Sequence, residues 1–184
     1  MKSVEENLTQ YAAYHRDRRN IATHFAGVPM IVFAVVLALA TASFTVADVA
    51  FTLAAVVCTA ASAYYLRQDL AFGLAMAVVL LAMCAAASEI TARASTGAAL
   101  GTALVVFTAG WALQFLGHKY EGMKPAFFDD VMQLVIGPLF MCAEVFFLLG
   151  AKPRLRRYIE ERVGPIVERR ARANAPSDDS PATH

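Results

Sequence analysis

Five long stretches of this chain carry almost no charge, and that one feature decides what it can fold into. Val28–Val46, Val49–Leu66, Leu70–Ser88 and Ala94–Gly117 are uncharged, and Val131–Gly150 is interrupted only by Glu144. Each is long enough for ~20 helical residues, at ~1.5 Å rise, to cross a ~30 Å hydrocarbon core. In lipid every backbone N–H and C=O must be bonded inside the segment, so such runs are expected as helices. A soluble bundle would need a polar stripe on each helix, and these runs are apolar on all faces. The expected fold class is therefore all-α: a polytopic membrane bundle of four to five hydrophobic helices with an N-terminal interfacial helix. Composition agrees, with 58% hydrophobic residues and a mean hydropathy of +0.51.

The rest of the chain divides around these runs. Residues 1–27 read as a polar leader helix on the membrane surface, with Val4, Leu8, Tyr11 and His15 recurring on one face. The leader has no small-residue cleavage site and is expected to be retained. Gly27 and Pro29 mark the start of the first span, with Pro29 in its first turn. Short linkers fall at Ala47–Asp48, at 67–69 and at 89–93, and a longer polar loop at 118–130. Residues 1–150 form one membrane unit. A basic juxtamembrane helix is expected over 151–174, and a disordered tail over 175–184.

Four crossings return the chain at His118 to the face on which it began, so leader and 118–130 loop should meet. That face holds Lys2, Arg16, Arg18, Arg19, Arg67, Lys119 and Lys124, against Arg93 alone on the loops opposite. The positive-inside rule makes it cytoplasmic. A full fifth crossing would export the basic cluster 152–157. Gly137-Pro138 and Glu144 instead suggest a broken or re-entrant fifth run.

The net charge of +1 offers no basic footprint for nucleic acid. Cys58, Cys84 and Cys142 all lie inside apolar runs and read as core or lipid-facing thiols. Of the four histidines, His184 ends the tail. His15, His24 and His118 share the cytoplasmic rim, where neutral imidazoles suit iron, zinc or copper; each alone is more often an interfacial hydrogen-bonding residue, and their shared location is what raises a metal site beside that reading. Nine residues of straight helix would rotate His24 about 900° from His15 and separate them by ~13 Å. A shared metal therefore requires a turn, expected around Arg18–Asn20. Gln114, His118 and Glu121 share a helical face. Glu121 reads as a carboxylate ligand, as an acceptor that fixes an imidazole tautomer, or as a surface partner of Lys124. Glu144, a charge in an apolar run, reads as a ligand, a proton acceptor or a partner of loop 118–125. Asp129 and Asp130 suit the start of the fifth helix.

These residues resemble a known family. Tyr14-His15-Arg16 is followed by Asn20, His24, Gly27 and Pro29. Trp111, Gln114, Gly117-His118, Glu121 and Lys124-Pro125-Ala126 form a second block, and Pro138, Phe140 and Glu144 a third. Over about residues 11–150 the pattern is similar to the small membrane 2-hydroxy fatty acid dioxygenases of fatty-acid α-oxidation. Eukaryotic members of that family sit in the endoplasmic reticulum and act in the conversion of phytosphingosine to odd-numbered fatty acids. The basic tail lies outside the resemblance. The resemblance implies oxidative removal of one carbon from a 2-hydroxy fatty acid by O2, with a Fe(2+) cofactor held or supported by His15, His24 and His118. Arg16 or Lys119 would then help bind the substrate carboxylate, with Glu121 and Glu144 in support and the acyl chain in the apolar bundle. An Ala- and Arg-rich chain of this kind points to a bacterial inner membrane, with N-terminus and site cytoplasmic, and leaves open a different hydroxylated lipid as substrate.

Two other readings compete. A di-iron desaturase would need about eight histidines in paired clusters, and three are usable here. A non-enzymatic scaffold or small transporter would use the histidines only as interfacial residues and would purify without iron. The sequence leaves oligomeric state and chain-length preference open.

Overall fold

The computed structural model describes residues 2–167, so the expectations for the end of the 151–174 segment and for the 175–184 tail lie outside the described residues. A short helix α1 (Val4–Ala12) opens on a capping box in which Ser3 and Glu6 bond each other's backbone N–H. The chain turns through Ala13–Asp17, and Asp17 caps α2 (Arg18–Ala40). The leader is thus two elements rather than one helix over residues 1–27. The first long helix starts ten residues before Val28, which puts Pro29 in mid-helix instead of the first turn.

A second departure follows α2. The run Val28–Val46 is not helical to its end: β1 (Ser43–Val46) pairs antiparallel with β2 (Val49–Thr52). Ala47 and Asp48 both have positive φ, at 48° and 61°, the geometry that lets a two-residue turn match strand twist. The β-branched content of 41–52 favours this hairpin, and apolarity alone does not separate it from helix. Then come α3 (Leu53–Gln68), α4 (Leu70–Arg93), α5 (Thr96–Glu121), a 3-10 turn at Ala126–Phe128, α6 (Gln133–Leu148) and α7 (Pro153–Val163).

Among the described residues three helices, α2, α4 and α5, are long and apolar enough to cross a membrane, and a fourth crossing is counted if α6 and α7, bent by 115°, form one span. Val78 and Leu81 of α4 and Leu104 and Val105 of α5 are each at least 66% exposed. Apolar side chains left open along whole helices belong against hydrocarbon, so this is a membrane-associated all-α bundle. Asn7 Nδ2 donates to Gln68 Oε1 at 3.1 Å, which brings the end of α3 back to the leader. α5 returns there too.

α6 begins and ends at that same end. Asp130, just before it, accepts from Gln10 at 3.2 Å and pairs with Lys2 at 3.8 Å. Lys152, just after it, pairs with Asp69 at the α3–α4 junction. The break therefore comes after Leu148, not at Gly137-Pro138, since α6 runs helical through Pro138. Gly150 at φ 76° and Lys152 at φ 53° make the bend, and Pro153 starts α7.

Candidate metal centre

α2 and α5 are the most closely packed pair, and glycines set their separation. A Cβ on Gly27 would meet the Gly110 carbonyl at 2.9 Å, and one on Gly110 would meet the Gly27 carbonyl at 3.0 Å. A Cβ on Gly117 would fall 2.4 Å from Asn20 Oδ1 and 3.2 Å from His24 Nδ1. This close approach lets His118 of α5 sit beside His24 of α2.

The turn at Ala13–Asp17 brings in the third imidazole. It lies slightly before the Arg18–Asn20 position expected from the spacing, and it does what the spacing required. His15, His24 and His118 are 1%, 1% and 6% exposed. Their ring centroids are 4.6, 4.9 and 5.1 Å apart, and one nitrogen from each lies within 4.8 Å of the others.

Protonation follows from the partners. Nδ1 of His15 lies 2.8 Å from the Tyr11 carbonyl and Nδ1 of His24 lies 2.9 Å from the Asn20 carbonyl. Carbonyls only accept, so each Nδ1 carries the proton and each Nε2 presents a lone pair. Those two Nε2 atoms face each other at 3.1 Å. Burial, then the neighbouring His24, hold the His15 imidazole well below its ordinary titration range, so a bridging proton is disfavoured. Two opposed lone pairs with a third imidazole alongside make a donor set that fits a metal cation, with backbone carbonyls orienting the rings from behind. Tyr11 stacks on His15, with centroids 4.0 Å apart and planes 3° apart.

Glu121 does not join the trio that can hold a metal. Its Oε2 accepts from the backbone N–H of Arg16 at 3.0 Å, the backbone N–H of Asp17 at 2.7 Å and the Asn20 side chain at 3.0 Å. It clamps the turn that carries His15 onto the end of α5. Nor is it the surface partner of Lys124, which pairs with Asp129 at 2.6 Å. Asp129 also accepts from Tyr14, while Asp130 accepts the Met132 N–H ahead of α6.

Arg16 is 3% exposed, with Nε donating to the His15 carbonyl at 2.9 Å and Nη1 to the Gly164 carbonyl at 2.9 Å. Lys119 is exposed on α5. Glu144 is buried on α6 in the field of Arg16, Arg156 and Glu160. None of these three lines the cavity beside the histidines. Cys58, Cys84 and Cys142 are free thiols outside the trio.

That cavity, of about 70 Å³, is walled by Tyr11, the three histidines, Trp111, Gln114, Phe127 and Gln133 among others. Sequence reasoning gave no site role to Tyr11, Trp111, Phe127 or Gln133. The i, i+3, i+7 spacing of Trp111, Gln114 and His118 was the available signal for one of them. Behind Val28, Val32 and Pro138 a second, almost wholly apolar cavity of about 260 Å³ lies between α2, α4 and α6.

Comparison with known proteins was made on this frame. Residues 1–149 match the family described as 2-hydroxy-palmitic acid dioxygenase Mpo1-like. The chain is 32% identical over 160 residues to the 2-hydroxy-palmitic acid dioxygenase MPO1 of Saccharomyces cerevisiae, covering 85% of this chain and 87% of the relative. No solved structure gives a significant match.

Proposed function

The chain belongs to the 2-hydroxy-palmitic acid dioxygenase Mpo1-like family, and from that premise we propose that it is a Fe(II)-dependent membrane dioxygenase acting on 2-hydroxy fatty acids. The reaction is R–CH(OH)–COOH + O2 → R–COOH + CO2 + H2O. The C1–C2 bond breaks, the hydroxyl-bearing carbon becomes the new carboxyl, and four electrons from the substrate reduce O2. The balance calls for no second organic reductant.

The observation that carries this reading is the opposed Nε2 pair of His15 and His24 with His118 beside it, buried next to a cavity. His15, His24 and His118 would hold the iron, which when bound supplies O2 chemistry and a Lewis-acid contact for the substrate's oxygens. The chain's own part is to keep the imidazoles neutral and aligned, to bury them from bulk water, and to offer the hydrocarbon tail an apolar path. The basic residues at the site end favour a cytoplasmic site on a bacterial inner membrane.

The test is anaerobic purification, addition of Fe(II), and O2 uptake with 2-hydroxypalmitate while pentadecanoate is followed. Iron-dependent pentadecanoate that disappears in His15→Ala, His24→Ala and His118→Ala is the expected result. Folded protein with neither iron nor turnover overturns the reading in favour of a scaffold.

A further inference from the structure

The histidine cavity holds polar groups whose needs the protein does not meet. Gln114 is 6% exposed, and its Nε2 is buried without a hydrogen-bond partner. Trp111 Nε1, one helical turn earlier on the same face of α5, is also buried without one, although its ring packs edge-on against Phe127. A buried donor left unpaired forfeits its hydrogen bond to water and gains none in return. Both residues line the cavity that His15, His24 and His118 border. A pair of neutral N–H donors beside imidazoles is a receptor for acidic oxygens, because hydrogen bonds to a carboxylate are about twice as strong as those to neutral acceptors. The cations nearby are engaged or turned away: Arg16 bonds two backbone carbonyls, and Lys119 is exposed.

The second cavity says what the rest of the ligand is. It shares the walls Val28, Val32 and Pro138 with the first, and Met76, Met83 and Met141 line it. Unbranched thioether side chains adapt to a flexible alkyl chain. Its volume of about 260 Å³ falls just short of the ~300–1,000 Å³ usual for ligand sites. Head and tail compartments thus lie on either side of one shared wall, the first bordered by the polar groups and the second apolar.

We infer that Trp111 Nε1 and the Gln114 side-chain amide are the headgroup donors for a 2-hydroxy acid, whose alkyl chain lies in the methionine-lined cavity between α2, α4 and α6. The inference rests on the proposed dioxygenase reading for the identity of the acid, not for the existence of the receptor. Trp111 is the one tryptophan in the chain, so its emission reports on the cavity without any turnover.

The experiment titrates metal-free protein with 2-hydroxypalmitate, following Trp111 emission, and with equilibrium dialysis of the radiolabelled acid for variants that lack the fluorophore. Saturable binding to the wild type is expected, weakened roughly tenfold or more in Gln114→Leu and in Trp111→Phe, with Fe(II) binding retained in both. Trp111→Phe keeps the ring and serves if Gln114→Leu does not fold. Affinities and KM within twofold of wild type in folded variants overturn the donor pair, even where the wild type consumes O2. Binding that the variants weaken, in a protein that never consumes O2, leaves the receptor standing and overturns only the dioxygenase reading.

Discussion

Glu121 and Asp17 are 104 residues apart in sequence, and the Glu121 carboxylate accepts the Asp17 backbone N–H at 2.7 Å. The same oxygen takes the Arg16 N–H and the Asn20 amide, so one side chain satisfies a turn that no secondary structure satisfies. Glu121→Ala strands two backbone donors, each costing about 1–3 kcal/mol, and each kcal/mol lowers the melting temperature by about 2–4 °C in a chain of this size. Glu121→Gln, which keeps an acceptor oxygen, should lose less. Thermal melts beside Fe(II) titrations check this. Lost iron with unchanged melting would make Glu121 a direct ligand instead.

Each histidine should matter separately to iron. His15→Ala, His24→Ala and His118→Ala are each expected to weaken Fe(II) binding by at least about tenfold, measured by chelator competition under anaerobic conditions. A variant that binds iron as well as wild type does not bear on the other two, but it removes its own residue from the ligand set.

Close helix approach gives a third expectation. A methyl group at Gly110 has only the Gly27 carbonyl and Ile31 to meet, so Gly110→Ala should destabilise by about 1–3 kcal/mol. Gly117→Ala crowds Asn20 and His24 and should also weaken metal binding. Melting curves in detergent and the same iron titration separate the two. Equal effects of both substitutions on iron would mean that helix spacing alone governs the site.

The Asp69–Lys152 pair makes stability depend on pH. Burial alone would raise the Asp69 carboxyl, but Lys152 and the Phe72 and Ala71 amides outweigh it and hold it below its ordinary value of 3.8. A depressed carboxyl contributes stability that is fully present above its unfolded value and lost as pH falls through the folded one. Asp69→Asn, which still caps α4, should therefore melt below wild type by a constant margin above about pH 5. That margin should shrink below about pH 4. A margin that does not move with pH would assign the effect to packing.

Much of this was readable in the chain because lipid imposes a strict rule on backbone groups. The uncharged runs gave the helices, and counting passes carried His118 to the leader, where it meets His15 and His24. What was hidden depended on distant partners. Arg18–Ala26 looked like leader because it is polar, and the carboxylate that takes the buried Asn20 amide, Glu121, lies 101 residues on. The hairpin at 43–52 was hidden because an apolar run of Val, Thr and Ala reads alike as helix or strand. Glu121 stayed open between ligand, tautomer-fixing acceptor and surface partner of Lys124, because its spacing to His118 was visible and its bonds to Arg16 and Asp17 were not.

The far end of the described chain closes the same turn. Arg18 N–H donates to the Val167 carbonyl at 3.0 Å, Val167 N–H donates to the Arg16 carbonyl at 2.9 Å, and Gly164 accepts from the Arg16 side chain. The loop carrying His15 is made some 150 residues before the segment that straps it down. A nascent chain holding all three histidines but ending before Gly164 would have its imidazoles without their clasp. Closure of the histidine cluster is therefore timed by the emergence of a segment that adds no imidazole to it.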